Sequence, residues 1–189
     1  MNDINRLRRI IIIGGGFGGI RAALDLAEKR LPDAKIILIS DKPHFEYHPA
    51  LYLVVTGRSP LEVCVPLREI FIGKEVEVLQ DTITEVNLKE KVLRGNSGSR
   101  YSFDFLILAL GSETLYFDIP GLKELSFGFK SINEALRLKE HLHELFSACE
   151  RAAAEERVQA AHIIVVGGGA SGTELAGELA IYTKKLAKN

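Results

Sequence analysis

The sequence predicts an α/β fold built on a buried parallel sheet, with a small antiparallel β insertion and, near its end, the first strand and helix of a second α/β unit. Three observations carry that reading. Residues 10–13 are four β-branched residues in a row, which suits a strand covered on both faces, and they break at once into glycine before a helical pattern resumes. A second apolar run, residues 35–40 (KIILIS), follows one helix later and completes a βαβ unit of ordinary length. The same order of strand, glycines and helix then returns at residues 162–177.

Gly14, Gly16 and Gly19 stand at G-x-G-x-x-G spacing between strand and helix. Gly14 would permit the tight turn, Gly16 would let backbone approach a pyrophosphate, and Gly19 would let the helix lie close on the sheet. The helix N-terminus then offers N–H groups and a partial positive charge to a diphosphate. Ala22 and Ala23 keep one side of that helix small, and Pro32 marks its stop. Asp41 lies 22 residues beyond Gly19, where the second strand ends in Ser40 or Asp41. A carboxylate at that point can accept both hydroxyls of an adenosine ribose. The plainer role for Asp41 is a turn residue with Lys42 and Pro43.

Residues 44–49 (HFEYHP) are unusual for a loop. His44, Glu46 and His48 alternate and would share one face of an extended segment, yet they read more simply as solvent-facing polar residues, and no metal is expected. Short helices are expected within residues 51–55 and 61–72, without evident chemistry. Residues 75–80, 83–88, 91–93 and 101–103 read as short strands, the last two joined through a turn-rich GNSG at 95–98. Residues 105–110 (FLILAL) make another wholly apolar, buried strand that stops at Gly111 and Ser112, at the carboxyl edge where ligands of open α/β sheets bind.

Ser131 and Glu134 form a capping box that opens a long helix to about Ala154. Ala135, Leu138, Leu142, Leu145 and Cys149 give it one buried stripe, and residues 151–159 fray into a polar connection. After a strand at 163–166, Gly167, Gly169 and Gly172 repeat the first spacing, with Glu174 on the new helix. Two such motifs about 150 residues apart are more specific than one, because each specifies its own diphosphate site.

Composition narrows the classes. At 189 residues the chain suits one ordinary domain or one and a half small ones, and its net charge of −1 gives no general pull toward nucleic acid. Arg6, Arg8 and Arg9 read as a solvated basic tail. No run approaches the roughly 20 apolar residues that span a bilayer, and residues 10–13 are too short for a signal-peptide core, so the reading is cytoplasmic. Cys64 and Cys149 form no C-x-x-C, which argues against a disulfide scaffold, a zinc site or a vicinal redox pair.

Taken in order, GGGFGG (14–19), ISDKPHFEYHPALYLVVTG (39–57), YSFDFLILALGS (101–112), IPGL (119–122), FKSINEAL (129–136) and VVGGGASGTELAGELA (165–180) resemble the two-dinucleotide-binding-domain flavoproteins. Within these FAD/NAD(P)-dependent pyridine nucleotide oxidoreductases, the chain is most similar to the type II, non-proton-pumping NADH dehydrogenases. The resemblance implies a Rossmann-like FAD-binding domain over residues 1–118 and the start of a Rossmann-like NAD(P)H-binding domain over 119–189. It implies Gly14, Gly16, Phe17 and Gly19 at the FAD pyrophosphate, Ser40 or Asp41 at the adenosine ribose, and backbone near Thr82 and Ile83 at adenine. Ala109, Gly111 and Ser112 match the second flavin motif, and Pro49 would lie close to the isoalloxazine. Gly167, Gly169 and Gly172 would receive NADH or NADPH. Glu174 matches the family's acidic residue beside the nicotinamide and flavin rings, its alternative being an exposed helix residue.

The implied activity passes hydride from NADH to FAD and electrons on to a quinone or other small acceptor, with a homodimer and peripheral contact at the cytoplasmic face of a membrane as further expectations. Disulfide reductases of this superfamily carry a cysteine pair shortly after the second strand; here the first cysteine is the solitary Cys64, so thiol exchange is not expected. Sulfide:quinone oxidoreductases resemble the first half of the chain, but they need catalytic cysteines and have no use for a second glycine motif. The family also continues past the position of Asn189, which makes a non-catalytic flavin-binding fragment a further reading. On that expectation Leu175, Leu179 and Leu186 have no completed sheet to pack on, apolar surface is exposed, and stability is weak.

Overall fold

The apolar run that opens the sequence lies in the middle of a sheet. In the computed structural model, which describes residues 6–151 and 162–186, β1 (Arg8–Ile13) pairs in parallel with β2 (Ala34–Ser40) on one side and β9 (Phe105–Leu108) on the other. β5 (Val76–Gln80) continues beyond β2, giving the order β5-β2-β1-β9. Side chains alternate across this sheet and both faces are covered. Ile12, Ile36 and Leu38 pack with Ala23 of α1 (Phe17–Glu28) and with Leu67 and Phe71 in and after α3 (Leu67–Ile70). Ile11, Ile13, Ile37 and Ile39 pack with Leu93 and Phe103 on the opposite face. That second cover is an antiparallel sheet of β6 (Ile83–Asn87), β7 (Val92–Gly95) and β8 (Arg100–Ser102). Burial on both sides is why these strands carry no polar alternation. Each buried isoleucine contributes about 1.5–3 kcal/mol.

Two expectations for this part of the chain change. β9 ends at Leu108, two residues early, and Phe105 and Leu108 are 55% and 56% exposed. Among the described residues β9 has a neighbour on one side only, so a wholly apolar strand stands at an edge. The basic leader is not a solvated tail, because Arg8 and Arg9 belong to β1. The Arg9 amide donates to Asp104 at 2.7 Å, its guanidinium donates to Ser102 at 2.7 Å, and the Arg6 guanidinium reaches Asp104 at 3.0 Å. The Arg9 amide, and then Arg6, hold the Asp104 carboxyl below its usual range.

Asp81, directly after β5, is buried and fully engaged. It accepts from the Thr82 amide (2.8 Å), the Ser97 amide (3.2 Å), the Ser97 hydroxyl (2.5 Å) and the Tyr101 hydroxyl (2.7 Å). A Cβ on Gly95 would run into its carboxylate, so only glycine fits there. The Ser97 and Tyr101 hydroxyls hold this carboxyl at about 2.

The chain divides into two compact units, Met1–Phe45 with Cys64–Ser112, and Glu46–Val63 with Glu113–Asn189. Residues 46–63 pack with the later segment. The reason is α2 (Leu51–Val55), whose Leu51, Val54 and Val55 are fully buried and against which α5 (Ile132–Arg151) and α6 (Ala170–Leu186) both lie. This corrects the expectation for the last helix. Leu175 and Leu179 are buried without a completed sheet, because an apolar stripe is satisfied equally by a neighbouring helix.

α5 begins as its capping box predicts, the Glu134 amide donating to Ser131 Oγ at 3.1 Å, while the Glu134 carboxylate accepts from Lys130 at 2.6 Å. Of its stripe, Ala135 and Leu142 are buried and Leu138, Leu145 and Cys149 half-buried; the expected end near Ala154 lies outside the described residues. The same helix start receives a second carboxylate. Within residues 44–49, Tyr47, His48 and Pro49 are exposed, but β3 (His44–Glu46) pairs with β4 (Cys64–Pro66), and Glu46 is 6% exposed, accepting from the Ile132 amide at 3.1 Å. A negative charge is favoured there by the helix dipole. His48 Nε2 stands 3.7 Å from Glu46. Among the described residues no group of three or more His, Cys, Asp or Glu could hold a metal ion. The single-turn α4 (Leu122–Leu125) completes this unit.

The expected strand at 163–166 pairs with nothing among the described residues, and Ile164 is 84% exposed. A strand needs a ladder partner, and an apolar run by itself does not supply one.

Asp81 generates a pH prediction. Its folded carboxyl sits at about 2 against an ordinary 3.8, so the unfolded chain binds more protons between those values. Its contribution to stability is complete above about pH 4 and is lost as pH falls toward about 2. The gap in Tm between the native chain and Asp81→Asn, followed by calorimetry, narrows across that interval; a constant gap contradicts this account.

Candidate nucleotide-binding site

The bend after β1 is set by atoms that glycine lacks. Gly14 has φ +116° and donates to the Ile39 carbonyl at 2.8 Å, and a Cβ on it would strike the Ala109 carbonyl. A Cβ on Gly19 would strike the Gly14 carbonyl in turn. Strand β1, the end of β9 and helix α1 therefore meet at backbone distance. Gly16 is different, with an ordinary φ of −87° and nothing within 4 Å of where its Cβ would project. Open space remains beside it. Gly16 caps α1 without any side chain, its carbonyl accepting the first helical bond from Ile20 at 3.0 Å, and no acid occupies the first turn. First-turn amides precede the helix's own ladder and carry its positive end, so a negative charge is favoured at such a position.

The strand order supports the same location. From β1 the chain moves outward through β2 and β5, then returns to the far side of β1 as β9. The order reverses at β1, and ligands of such sheets lie in the crevice beyond the carboxyl ends of the strands at that reversal.

The other candidate residues of the first unit surround this point. Ser40 is buried behind the turn, its Oγ accepting from the Lys42 amide at 3.3 Å, whereas Asp41 is exposed at the strand end. Ala109 closes the β1–β9 ladder by donating to Ile13 at 2.8 Å. Gly111, with φ +77°, and Ser112 follow as exposed backbone. Phe17 is half exposed and meets Phe45 edge-on, with ring centroids 4.8 Å apart.

Thr82 uses both backbone groups within the protein, its amide to Asp81 and its carbonyl accepting from Asn96 at 2.8 Å. That second bond brackets the Ile83↔Gly95 pair, the pattern of a pair that exchanges no bonds of its own. Ile83 N–H and C=O therefore point away from β7, on an outer strand of the antiparallel sheet. Asp81, Ser97 and Tyr101 were not legible as site residues; the one signal was an acid at a strand end opposite a glycine-rich turn. Pro49 belongs to the second unit, exposed in a 3-10 turn at His48–Ala50.

The second glycine motif repeats the first bend. Gly167 has φ +114°, a Cβ on Gly172 would strike the Gly167 carbonyl, and Thr173 donates to Gly169 at 3.0 Å. Gly167 differs from Gly14 in one respect: its missing Cβ faces nothing within 4 Å. Glu174 is exposed on α6 just after this turn.

Twin bends of this geometry accompany a family match that covers nearly the whole chain: residues 8–187 match the pyridine nucleotide-disulphide oxidoreductases. The chain belongs to this family. The parallel sheet and the separate small antiparallel sheet fit the Rossmann-type architecture of that family. Among similar family proteins, demethylphylloquinone reductase NdbB of Synechocystis sp. is 36% identical over 180 residues, 90% of this chain and 42% of that protein. The type II NADH:quinone oxidoreductase Ndh of Mycobacterium tuberculosis is 35% identical over 181 residues, 93% of this chain and 38% of that protein. The structure of NDH2 from Plasmodium falciparum in complex with NADH superposes with a TM-score of 0.84 at 27% identity, covering 97% of this chain and 39% of that one. The chain thus spans about two-fifths of the length of these relatives.

The two kinds of glycine predict opposite outcomes. Gly14→Ala meets both a positive φ and the Ala109 carbonyl and should cost more than about 2 kcal/mol in denaturant unfolding. Gly16→Ala should cost less than about 1 kcal/mol, the loss of a tolerable N-cap, and appear instead as weakened dinucleotide binding by titration.

Proposed function

We propose that this chain supplies the FAD-binding elements and the first NADH-binding turn of a type II NADH dehydrogenase, an FAD-dependent NAD(P)H:quinone oxidoreductase. The observation that carries the reading is the pair of glycine bends, each pairing a positive-φ glycine with a helix start free of acids. What supports a diphosphate at the first bend is the open space beside Gly16 at a helix start without acids, with Asp41 exposed one strand over for a ribose. Gly14, Gly16, Phe17 and Gly19 would hold the FAD diphosphate, Ile83 backbone the adenine, and Ala109, Gly111 and Ser112 the flavin side, with Pro49 near the ring system. Gly167, Gly169 and Gly172 would hold the diphosphate of NADH or NADPH.

FAD, when bound, takes hydride equivalents from NADH and releases electrons to a quinone. The protein's own part is alignment and charge, for which the amides at both bends are suited. Glu174, exposed at the second bend, would hold or move a proton near the rings. The intact second bend weighs against the sulfide:quinone reading, which needs no nucleotide there. Among the described residues no helix is long and apolar enough to cross a membrane; peripheral contact with the cytoplasmic face and a homodimer belong to the proposal.

The test is to load the chain with FAD and add NADH, NADPH or sulfide, then a short-chain quinone. NADH should bleach the flavin and quinone should restore it. Bleaching by sulfide but not NADH transfers the assignment to the rival enzyme, and colour that no donor changes reduces the chain to a flavin-binding module. Where turnover is measurable, Glu174→Gln should lower it about 100-fold, the low end for a positioned proton donor; unchanged NADH oxidation removes Glu174 from the mechanism.

A further inference from the structure

The cluster at Asp81 does more than close a hairpin, because of which atoms it holds. The Asp81 amide donates to the Ser40 carbonyl at 2.9 Å, so it continues the ladder with β2 and stands beside Asp41. A dinucleotide with its diphosphate at the β1 bend and its ribose at the end of β2 next reaches the end of β5, about 10 Å from β1 at two strand spacings. The residues there are Thr82 and Ile83.

Both backbone groups of Thr82 are fixed, the amide by Asp81 itself and the carbonyl by Asn96 in the turn that Asp81 grips through Ser97. Across a trans peptide the Thr82 carbonyl and the Ile83 amide point in opposite directions, so fixing one aims the other. Ile83 consequently presents one donor and one acceptor side by side, away from β7. Adenine offers the complementary pair on its base-pairing edge, a ring-nitrogen acceptor and an amino donor.

We propose that Asp81 is a positioning residue for the adenine end of the first dinucleotide: through Thr82, Ser97 and Tyr101 it aims the Ile83 backbone at the base. The inference rests on the proposed FAD site. It accounts for features the hairpin alone does not require, namely a fully partnered buried carboxylate at a sheet edge and a glycine at position 95 that leaves room for it.

The experiment compares FAD with FMN, which carries the flavin but no adenine, by titration into the full chain. The native chain should prefer FAD. Asp81→Ala should weaken FAD about tenfold, while FMN stays within about twofold. Asp81→Asn keeps an oxygen for the two amides and should recover most of the FAD affinity. If Asp81→Ala does not fold, Ser97→Ala and Tyr101→Phe, each removing one hydroxyl donor, should shift the FAD-to-FMN ratio the same way by about threefold. Native FAD affinity in a folded Asp81→Ala, or equal losses for FAD and FMN, overturns the positioning role while leaving the FAD site standing. Equal affinity of the native chain for FAD and FMN overturns the site reading, and this inference with it.

Discussion

The structure depends first on a steric exclusion. No Cβ fits at Gly14 or Gly19, because the Ala109 carbonyl fills the first position and the Gly14 carbonyl the second. Two parallel strands and a helix are thereby brought together with no side chain between them, and the helix start is aimed over the carboxyl edge of the sheet. The open space at Gly16 lies beside that contact. Gly167 and Gly172 reach the same bend although, among the described residues, nothing lies within 4 Å of where a Cβ on Gly167 would project, so the turn geometry is local.

Three carboxylates form a second layer of order. Asp81, Glu46 and Asp104 each accept a backbone amide from a segment distant in sequence or at a turn: Ser97 and Thr82, Ile132, and Arg9 respectively. For the buried Asp81 and Glu46, withdrawal from water is tolerated where donors meet the oxygens, and a charged acceptor binds an amide more strongly than a neutral one does. These acids locate the hairpin, the long helix and the first strand. The apolar layers supply the driving force but are indifferent to such registers.

Each unit carries one glycine bend, and each bend opens a helix whose first turn holds no acid. The first lies within a sheet covered on both faces, the second in a unit whose apolar interior is helical, around α2. Exposed apolar residues gather beside both, at Phe105, Leu108 and Leu110 in one and at Ile164 and Val166 in the other. Apolar strand sequences that, among the described residues, lack partners on one or both edges explain this surface.

Much of the first unit, and the start of the long helix in the second, was legible from the chain alone. Runs of β-branched residues, glycine spacing and the Ser131–Glu134 cap are local patterns, and local sterics and hydrogen bonding fix their outcome: strands, bends and a helix start stand within a residue or two of expectation. What tertiary structure alone decided is where each element found its partners. Among the described residues, FLILAL reads as buried yet stands at an edge, residues 163–166 read as a strand yet have no ladder, HFEYHP reads as a polar loop yet buries Glu46, and the last helix packs on α2 rather than on a sheet. Burial, pairing and the filling of a carboxylate's oxygens are properties of neighbours far away in sequence, and no periodicity within a segment encodes who those neighbours are.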